Sequence, residues 1–406
     1  MDKFAEFRTH VPVAMKWSYF ESAATGIIPD NVHDGVARYF EQRYLIGGDN
    51  IWELDGVDGY GTVAMMKWSK NNLGKMIGAP GEDIYFAESA TAAYNVLVSG
   101  FQFRPGDNIV LPDEEWIGTR FAWQNKSERD GLELRYVIPH DGLLTAEDYI
   151  AKCDENTRMV CVDIVSRISG YLFDLKPLSD YCAERGIWVI VDAAHAWGVL
   201  PIDIHECKMD FVGGCDRKWM MNYCGNGFAY ISPELRKEIR QTAAGWMSDS
   251  DLFNTIKAKL TLRDDASRYE LGWPNVCGIY GLGIQADNYN KLGKYDIKEY
   301  VDGLVAYAIE QGKGIDGIRR AYDFAPERQS EILVFEVDED VDMTPEDFEK
   351  ENVKTHLQYS LSGRLLIRLG IHMFHTRDDI DAVMRVFRAC SAKPRVKDAV
   401  KELMPY

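Results

Sequence analysis

Residues 187–195 read Ile187-Trp-Val-Ile-Val-Asp-Ala-Ala-His195, an apolar run that ends in a carboxylate and an imidazole. The run has the length and the Val/Ile content of a strand that is buried on both faces of a parallel sheet. Ligands of open parallel sheets bind beyond the carboxyl ends of the strands, so Asp192 is a candidate site residue. An aspartate at this place is also typical of a cap for the helix that follows.

Runs of the same kind recur before and after this stretch, separated by segments of helix length. They span residues 83–87, 108–112, 132–137, 159–165 and 210–213. The segment 228–232 is a seventh candidate, close enough to the preceding run to pair with it through a short connection. Strands that alternate with helices predict an α/β fold, here with a mainly parallel seven-stranded sheet.

An amphipathic helix is predicted near the N-terminus. Asp30 is a suitable N-cap, and Val32, Val36, Phe40 and Tyr44 recur at helical spacing. This pattern predicts a helix over residues 30–44 with these four side chains at helical spacing.

The C-terminal part has the pattern of a smaller α+β domain. Its strands are expected at residues 331–337 and 365–370. Its helices begin at the capping sequences Thr344-Pro-Glu-Asp and Thr376-Arg-Asp-Asp. Strand, helix, strand and helix in this order, after a long α/β region, indicate a second domain.

Two domains are also expected from the length, because 406 residues exceed the size at which one hydrophobic core keeps growing. We assign residues 21–275 to a large domain, which would bind the ligand, and residues 276–406 to a small domain. We expect the N-terminal segment, residues 1–20, to be part of the small domain.

Composition and charge disfavour several classes of function. A net charge of −18 argues against sequence-blind binding of nucleic acid and against docking on an anionic membrane, because both need a basic surface. No apolar run approaches the roughly 18 residues that span a bilayer, and the N-terminus lacks the pattern of a signal peptide. Eight cysteines without a CxxC pair suit reduced thiols in the cytoplasm better than a zinc site. We therefore expect a cytoplasmic protein without a metal.

Three further strand ends carry reactive or binding side chains. Lys218 follows the run at 210–213 and precedes a glycine-containing turn. Ser89-Ala90-Thr91 opens a helix directly after a strand, and Trp116 follows another strand. Taken singly, Lys218 also fits the pattern of an ordinary surface lysine, and Trp116 fits that of an ordinary core residue.

Together these residues suit pyridoxal 5′-phosphate (PLP). This cofactor needs an amine that holds it as a Schiff base and a carboxylate that keeps its pyridine nitrogen protonated. Lys218 and Asp192 could supply both from neighbouring strands. The phosphate binds well at a helix N-terminus, and an indole can cover the ring.

Four motifs, in order, resemble those of the class V aminotransferase family. They are Ser166-Arg-Ile-Ser-Gly-Tyr-Leu-Phe-Asp-Leu, Val191-Asp-Ala-Ala-His, Asp216-Arg-Lys-Trp and Arg268-Tyr-Glu-Leu-Gly-Trp-Pro-Asn. The family includes cysteine desulfurases, selenocysteine lyases, cystine lyases and isopenicillin N epimerases. The resemblance runs from about Tyr19 to Arg388 and implies the fold-type I PLP-dependent transferase (aspartate aminotransferase-like) fold. It also implies an amino-acid substrate and a homodimer with a shared active site.

The resemblance assigns roles residue by residue. Lys218 matches the Schiff-base lysine, Asp192 the partner of the pyridine nitrogen, and His195 the residue that approaches the cofactor O3′. These three are the expected catalytic residues. The other cofactor-binding positions are Ala90 and Thr91 at the phosphate turn, Trp116 over the ring, Cys215 and Arg217 beside Lys218, and Gly272 and Trp273, which would reach the phosphate in the neighbouring subunit.

Two arginines are the expected substrate-binding residues. Arg368, in Leu365-Leu-Ile-Arg-Leu-Gly, matches the arginine that holds the substrate α-carboxylate, although an ion pair with an acid of the small domain is the alternative. Arg167 stands where the family often has a small polar residue. It could bind an acidic substrate side chain, and a structural ion pair is the alternative.

Other departures from the family pattern bear on the reaction. Arg217 replaces the usual histidine before the lysine, and Trp273 replaces a threonine. The desulfurase loop with its persulfide-forming cysteine corresponds to residues 353–363, which contain no cysteine. A strict cysteine desulfurase is therefore disfavoured.

The predicted function is a PLP-dependent carbon–sulfur (or carbon–selenium) lyase or an aminotransferase. An epimerase resembling isopenicillin N epimerase and a non-catalytic family member are the alternatives. An NAD-linked oxidoreductase is disfavoured, because Gly225-Asn-Gly227 lacks the rest of a dinucleotide fingerprint. His372 and His375 have no carboxylate pattern nearby that would indicate a metal site.

Overall fold

A computed structural model describes residues 2–47, 61–252, 259–360 and 363–393. The helices in these ranges are α1 (Lys3–Thr9), α2 (Asp30–Ile46), α3 (Gly61–Ile77), α4 (Ala90–Gly100), α5 (Ile117–Asp130), α6 (Ala146–Ile150), α7 (Leu175–Arg185), α8 (Pro233–Glu238), α9 (Val276–Leu292), α10 (Lys294–Gln311), α11 (Pro345–Lys350) and α12 (Arg377–Ser391). The strands are β1 (Ser18–Tyr19), β2 (Ile84–Ala87), β3 (Asn108–Pro112), β4 (Glu133–Val137), β5 (Thr157–Asp163), β6 (Trp188–Asp192), β7 (Phe211–Cys215), β8 (Gly227–Ile231), β9 (Ile318–Arg320), β10 (Ile332–Val337), β11 (Val353–Lys354), β12 (His356–Tyr359) and β13 (Leu365–Gly370).

The large sheet has seven strands in the described part of the chain, in the order β2-β8-β7-β6-β5-β3-β4. β8 runs antiparallel to both of its neighbours, and the other pairings are parallel. The mainly parallel α/β fold that the sequence predicts is confirmed, and each predicted strand of this sheet is present within a few residues.

Both faces of this sheet are covered by apolar packing. α4 and α5 contribute Tyr94, Leu97 and Trp123 to the core on one face. α7 contributes Leu178 and Cys182 to the core on the other face. Every residue of β3 and β8 is buried, as expected for strands between two layers.

A smaller antiparallel sheet forms in the C-terminal part, with the order β12-β13-β10-β9. α12 packs against α10, and the apolar stripe that the sequence predicts for α12 is buried. The N-terminal segment joins this part, because β1 pairs with β11 and Arg8 forms an ion pair with Asp379. α9 packs against α3 and α2 of the preceding region. The domain limits at residues 20/21 and 275/276 stay predictions.

The predicted N-terminal helix is present as α2, but the predicted N-cap is wrong. Pro29 occupies the N-cap position, and Asp30 is the first helical residue. Val32 and Val36 are buried, whereas Phe40 and Tyr44 are exposed and Tyr39 is buried in their place. The spacing identified an apolar stripe without showing which part of it another element covers.

The region predicted as a loop, residues 353–363, is also different in the structure. Residues 353–354 and 356–359 form the strands β11 and β12, and β12 pairs with β13. Residues 361 and 362 lie outside the described ranges. Among the described helices, none is both long and apolar enough to cross a membrane.

Candidate active site

Six strands of the large sheet end at the same edge, and five of them, all but β4, lead into the site. β3, β5, β6 and β7 are parallel, and β2 shares their direction because β8 runs antiparallel to both β2 and β7. The segments that follow these five ends surround a cavity of about 360 Å³. This is the place where open parallel sheets bind their ligands.

Most of the predicted site residues line this cavity. They are Ala90, Thr91, Trp116, Arg167, Asp192, His195, Cys215, Arg217 and Lys218. Of the other three predicted positions, Arg368 lies directly behind the cavity wall, and Gly272 and Trp273 do not line the cavity.

His195 lies between Lys218 and Trp219. Its Nε2 is 3.0 Å from Nζ of Lys218, and its Nδ1 accepts a hydrogen bond of 3.3 Å from Nε1 of Trp219. Burial is the main reason why the pKa of His195 is well below its usual value, so the ring is neutral. Because an indole N–H can only donate, the single ring proton belongs on Nε2, facing the lysine.

Asp192 belongs to an acidic cluster with Glu115 and Asp163. One carboxylate oxygen of each residue lies within 4.8 Å of the other two. The N–H of Ala194 donates a 2.8 Å hydrogen bond to Oδ1 of Asp192. Glu115 Oε1 and Asp163 Oδ1 are buried without a hydrogen-bond partner in the described part of the chain.

Burial raises the pKa of all three carboxyl groups, and it raises those of Glu115 and Asp163 well above the usual values. The neighbouring carboxylates add to this effect for Glu115 and Asp163, whereas Lys218 opposes it for Asp192. The acidic cluster must therefore take up protons or be neutralised by a cation.

The first turn of α4 forms another part of the wall. Oγ of Ser89 accepts a hydrogen bond of 3.1 Å from the N–H of Ala92 and so caps the helix. A Cβ atom on Gly227 would be 2.0 Å from the carbonyl carbon of Ser89, so only glycine lets β8 approach this turn. The helix N-terminus borders the cavity through Ala90 and Thr91, and its N–H groups can bind an anion there.

Arg167 and Arg368 form a basic cluster on another side, and Arg217 lines the cavity close to Cys215. Nη1 of Arg368, on β13, donates a 3.1 Å hydrogen bond to the main-chain oxygen of Arg167. None of the three forms an ion pair with a residue that the structure describes. Burial, and secondly the charge of Arg167, lowers the pKa of Arg368 to about 10, so the group stays charged at neutral pH.

Gly272 and Trp273 lie at the surface. The ring of Trp273 stacks on that of Trp246 at 5.7 Å, and both side chains are more than two-fifths exposed. A Cβ atom on Gly272 would meet no other atom within 4 Å. Within one subunit this segment is therefore an exposed aromatic surface and contributes nothing to the cavity.

Two cysteines line the cavity. Cys215 ends β7, and burial raises the pKa of its thiol. Cys224 is exposed. Residues 356–359 belong to the segment that the sequence resemblance matches to a thiol-bearing loop, and their pairing with β13 holds them within the small sheet.

The sequence did not single out Glu115, Asp163 or Trp219. Asp163 ends β5 as Asp192 ends β6, and the two are partners in the register of these strands. An aspartate at the end of a second Val-rich run was therefore the available signal. Nothing in the sequence indicated that Trp219 would donate to His195.

Comparison with known proteins agrees with this geometry. The model of the family described as aminotransferase class-V matches residues 18–383. A probable cysteine desulfurase of Methanothermobacter thermautotrophicus is 24% identical over 393 residues, which are 92% of this chain and 95% of that protein.

Solved structures show the same fold. The apo structure of a cysteine desulfurase from Thermococcus onnurineus NA1 has a TM-score of 0.82 at 20% identity and covers 95% of this chain and 97% of its own. The cystine C–S lyase C-DES, solved with its reaction product cysteine persulfide, has a TM-score of 0.80 at 17% identity and covers 93% of this chain and 99% of its own. A mutant of C-DES carries glycine covalently linked to its PLP cofactor.

Proposed function

This chain belongs to the aminotransferase class-V family of PLP-dependent enzymes, and we propose that it is a carbon–sulfur lyase that acts on an amino acid. The observation that carries the proposal is the hydrogen-bonded amine of Lys218 beside His195, at a strand edge that also holds the acidic cluster. The similarity to C-DES, which is described as a cystine C–S lyase, supports this type of reaction.

The cavity fits PLP on three structural grounds. Asp192 lines the cavity in a cluster of buried carboxyl groups that needs a cation, and a protonated pyridine nitrogen is one. The N-terminus of α4 and Arg217, which line the same cavity, suit the phosphate. The indole of Trp116 is 42% exposed and lies 5.7 Å from Nζ of Lys218, so its ring face is open to a flat group beside that amine.

The chain's own residues would divide the catalytic work. When bound, PLP supplies an electron sink for bond cleavage at the substrate Cα. Lys218 would hold the cofactor covalently and then take the Cα proton at Nζ. His195, held by Trp219, would orient that amine. Asp192 would keep the proton on the pyridine nitrogen, and Arg368 would hold the α-carboxylate in a planar, two-pronged pair.

Residues 353–359 suit a lyase that forms no persulfide on the protein better than they suit a desulfurase. The described residues of this region contain no thiol and are fixed in β11 and β12. Sulfur should therefore leave as a small thiol, sulfide or small persulfide. Cys224 is the observation that favours a desulfurase as second candidate, because its exposed thiol lines the cavity.

Product analysis tests the proposal. We expect the purified protein, loaded with PLP and given a panel of sulfur-containing amino acids, to release pyruvate, ammonia and a thiol. Amino-group transfer or racemisation without release of sulfur would instead identify an aminotransferase or an epimerase. Sulfane sulfur on Cys224, with activity lost in Cys224→Ser, would identify a desulfurase.

We further propose a cytoplasmic homodimer in which the segment around Trp273 reaches the partner's cofactor phosphate. The exposed stack of Trp246 and Trp273 supports an interface at this surface. The eight free cysteines suit a reducing compartment.

Mixing two inactive variants tests the shared site. In a dimer of one Lys218→Ala subunit and one Trp273→Asp subunit, a shared arrangement places both defects in one site and leaves the other intact. We expect activity to return when such subunits exchange. No recovery, in mixtures whose exchange is shown by native mass spectrometry, would contradict sharing.

A further inference from the structure

We propose that the substrate is an amino acid with a second anionic group on its side chain, and that Arg167 binds this group. The proposal rests on the proposed function and adds the class of substrate to it. Its basis is a comparison of the cations around the cavity with the anions that would occupy it.

The cavity wall holds one arginine beyond those that the cofactor phosphate and the substrate α-carboxylate would engage. Lys218 would be covalently linked to the cofactor. Arg217 and the N-terminus of α4 both line the cavity and suit the phosphate, and Arg368 suits the α-carboxylate. After these assignments Arg167 is left without an anion, although it lines the same cavity.

Arg167 is also without an ion pair in the part of the chain that the structure describes. Its Nε is buried and has no hydrogen-bond partner there. The carboxyl groups of Glu114 and Asp163 are near enough to be affected by the charge of Arg167, but neither forms an ion pair with it. Glu114 instead accepts a 3.0 Å hydrogen bond from Oγ of Ser166. A guanidinium cannot lose its charge by releasing a proton in this range of pH, so an unpaired one at a cavity wall favours an anionic ligand.

Two contacts set the position of Arg167. Its Cζ lies 5.7 Å from the ring centroid of Trp116, and its main-chain oxygen accepts the hydrogen bond from Arg368. Arg368 is thus tied to the main chain of Arg167, and the guanidinium of Arg167 lies beside the ring that would cover the cofactor. Such a pair can bind two anions of one molecule, and the planar fork of arginine favours carboxylate geometry.

A matched pair of substrates separates charge from size. S-carboxymethylcysteine has a distal carboxylate, and S-carbamoylmethylcysteine has an amide of nearly the same shape. In each elimination, Lys218 takes the Cα proton and the Cβ–S bond breaks. The sulfur leaves with the electron pair and takes up a proton. One water then hydrolyses the remaining three-carbon unit to pyruvate and ammonia, so no oxidant or reductant is needed.

We expect the parent protein to prefer the carboxylate over the amide by about tenfold to a hundredfold in kcat/KM, from the usual strength of a charged hydrogen bond. Arg167→Gln should reduce this ratio to about one, and Arg167→Lys should retain part of it. Arg368→Lys should weaken both substrates to a similar degree and preserve the ratio. The cofactor content and melting temperature of each variant show whether it has folded.

Two further measurements do not depend on turnover. Absorbance titration of the PLP-loaded protein should show tighter binding of glutamate than of glutamine, with the difference lost in Arg167→Gln. Calorimetry on the cofactor-free protein should show that succinate binds more tightly than its monoamide. Glu114→Gln is the matched control, because it removes the nearby acid and leaves the arginine.

These experiments distinguish a failure of the inference about Arg167 from a failure of the proposed function. Pyruvate from neither substrate would overturn the lyase, while the binding measurements would still test Arg167. Equal affinity for the acids and their amides in the parent protein would overturn the inference. An acid preference that persists in Arg167→Gln would do the same. If Glu114→Gln reproduces every effect of Arg167→Gln, the arginine serves an internal ion pair and the inference is wrong.

Discussion

The acidic and basic clusters differ in how each can tolerate burial without a partner. Glu115, Asp163 and Asp192 can become neutral by binding protons, and their raised pKa values show that burial favours this. Arg167 and Arg368 remain charged, because a guanidinium does not release its proton near neutral pH. The acidic cluster therefore responds to pH as well as to a cationic ligand, whereas the basic cluster responds to anions. Each of the following predictions changes one side of this comparison.

The largest effect on turnover is expected from replacing Lys218, the reactive amine between the acidic and basic clusters. Lys218→Ala should lower turnover by at least about a thousandfold, because it removes both the covalent link to the cofactor and the base at Cα. Both clusters remain, so the cofactor should still bind without a covalent link. Borohydride reduction followed by peptide mass spectrometry should find the adduct on Lys218 in the parent protein. Lys176→Ala, on the surface of α7, is the control, and an adduct on another lysine would refute the assignment.

A somewhat smaller loss is expected on the acidic side. Asp192→Asn should lower kcat by about a hundredfold or more, since it removes the charge that would keep the pyridine nitrogen protonated. Asp210→Asn is a matched control, because Asp210 is a buried aspartate that accepts a hydrogen bond from the N–H of Val189 at the opposite edge of the sheet. The control should keep its turnover even if it melts earlier. Equal losses of kcat in Asp192→Asn and Asp210→Asn would show that removing any buried charge lowers turnover, wherever that charge lies.

On the basic side, Arg368→Lys should lower kcat/KM by about a hundredfold, because lysine keeps the charge but not the planar fork. Melting temperature and cofactor binding should stay normal, since Arg368 forms no ion pair within 4.0 Å among the described residues and lysine keeps the charge that acts on Glu21. Arg364→Lys is the control, an exposed arginine just before the same strand that pairs with Glu336. Turnover like that of the parent protein would remove Arg368 from the site.

The smallest effect concerns stability and pH. The pKa of Glu115 is raised in the folded state, so its contribution to stability is present at low pH and is lost as pH rises above the usual glutamate value. Glu115→Gln should therefore stabilise the cofactor-free protein by about 2 °C or more at pH 8, and by less at pH 5. Bound PLP should reduce the difference in melting temperature between Glu115→Gln and the parent protein. Its protonated pyridine nitrogen offsets the charge of the acidic cluster.

Thermal unfolding at several pH values, with and without the cofactor, measures the effect of Glu115→Gln. Glu133→Gln, at an exposed ion pair, provides the comparison variant. A difference from the parent that stays constant between pH 5 and pH 8 would show that Glu115 does not titrate as proposed.

The sequence predicted the large sheet well because the signal for a buried strand is local. Each Val/Ile run lies within a few residues of its observed strand, and Asp192 and Lys218 follow two such runs. Residues that follow parallel strands reach the same edge whichever strands are neighbours. This is why the cavity residues could be named without knowledge of the strand order.

The acidic cluster could not be predicted in that way. Glu115, Asp163 and Asp192 meet because β3, β5 and β6 are adjacent in the sheet, and this order is a property of the whole fold. β12 was missed for a different reason. Its four residues are all half-buried at the edge of a sheet, so they show neither a continuous apolar run nor a clear alternation.

The close approach of Gly227 to Ser89 has a consequence for the order in which the protein is made. β2, which leads into the turn at Ser89, pairs with β8 and with no other described strand. Since β8 is Gly227–Ile231, the turn emerges from the ribosome long before the strand that fixes it. Such distant pairings form late, because the intervening chain must first be closed into a loop. The nascent chain should therefore be unable to retain its cofactor until the whole large sheet has been synthesised.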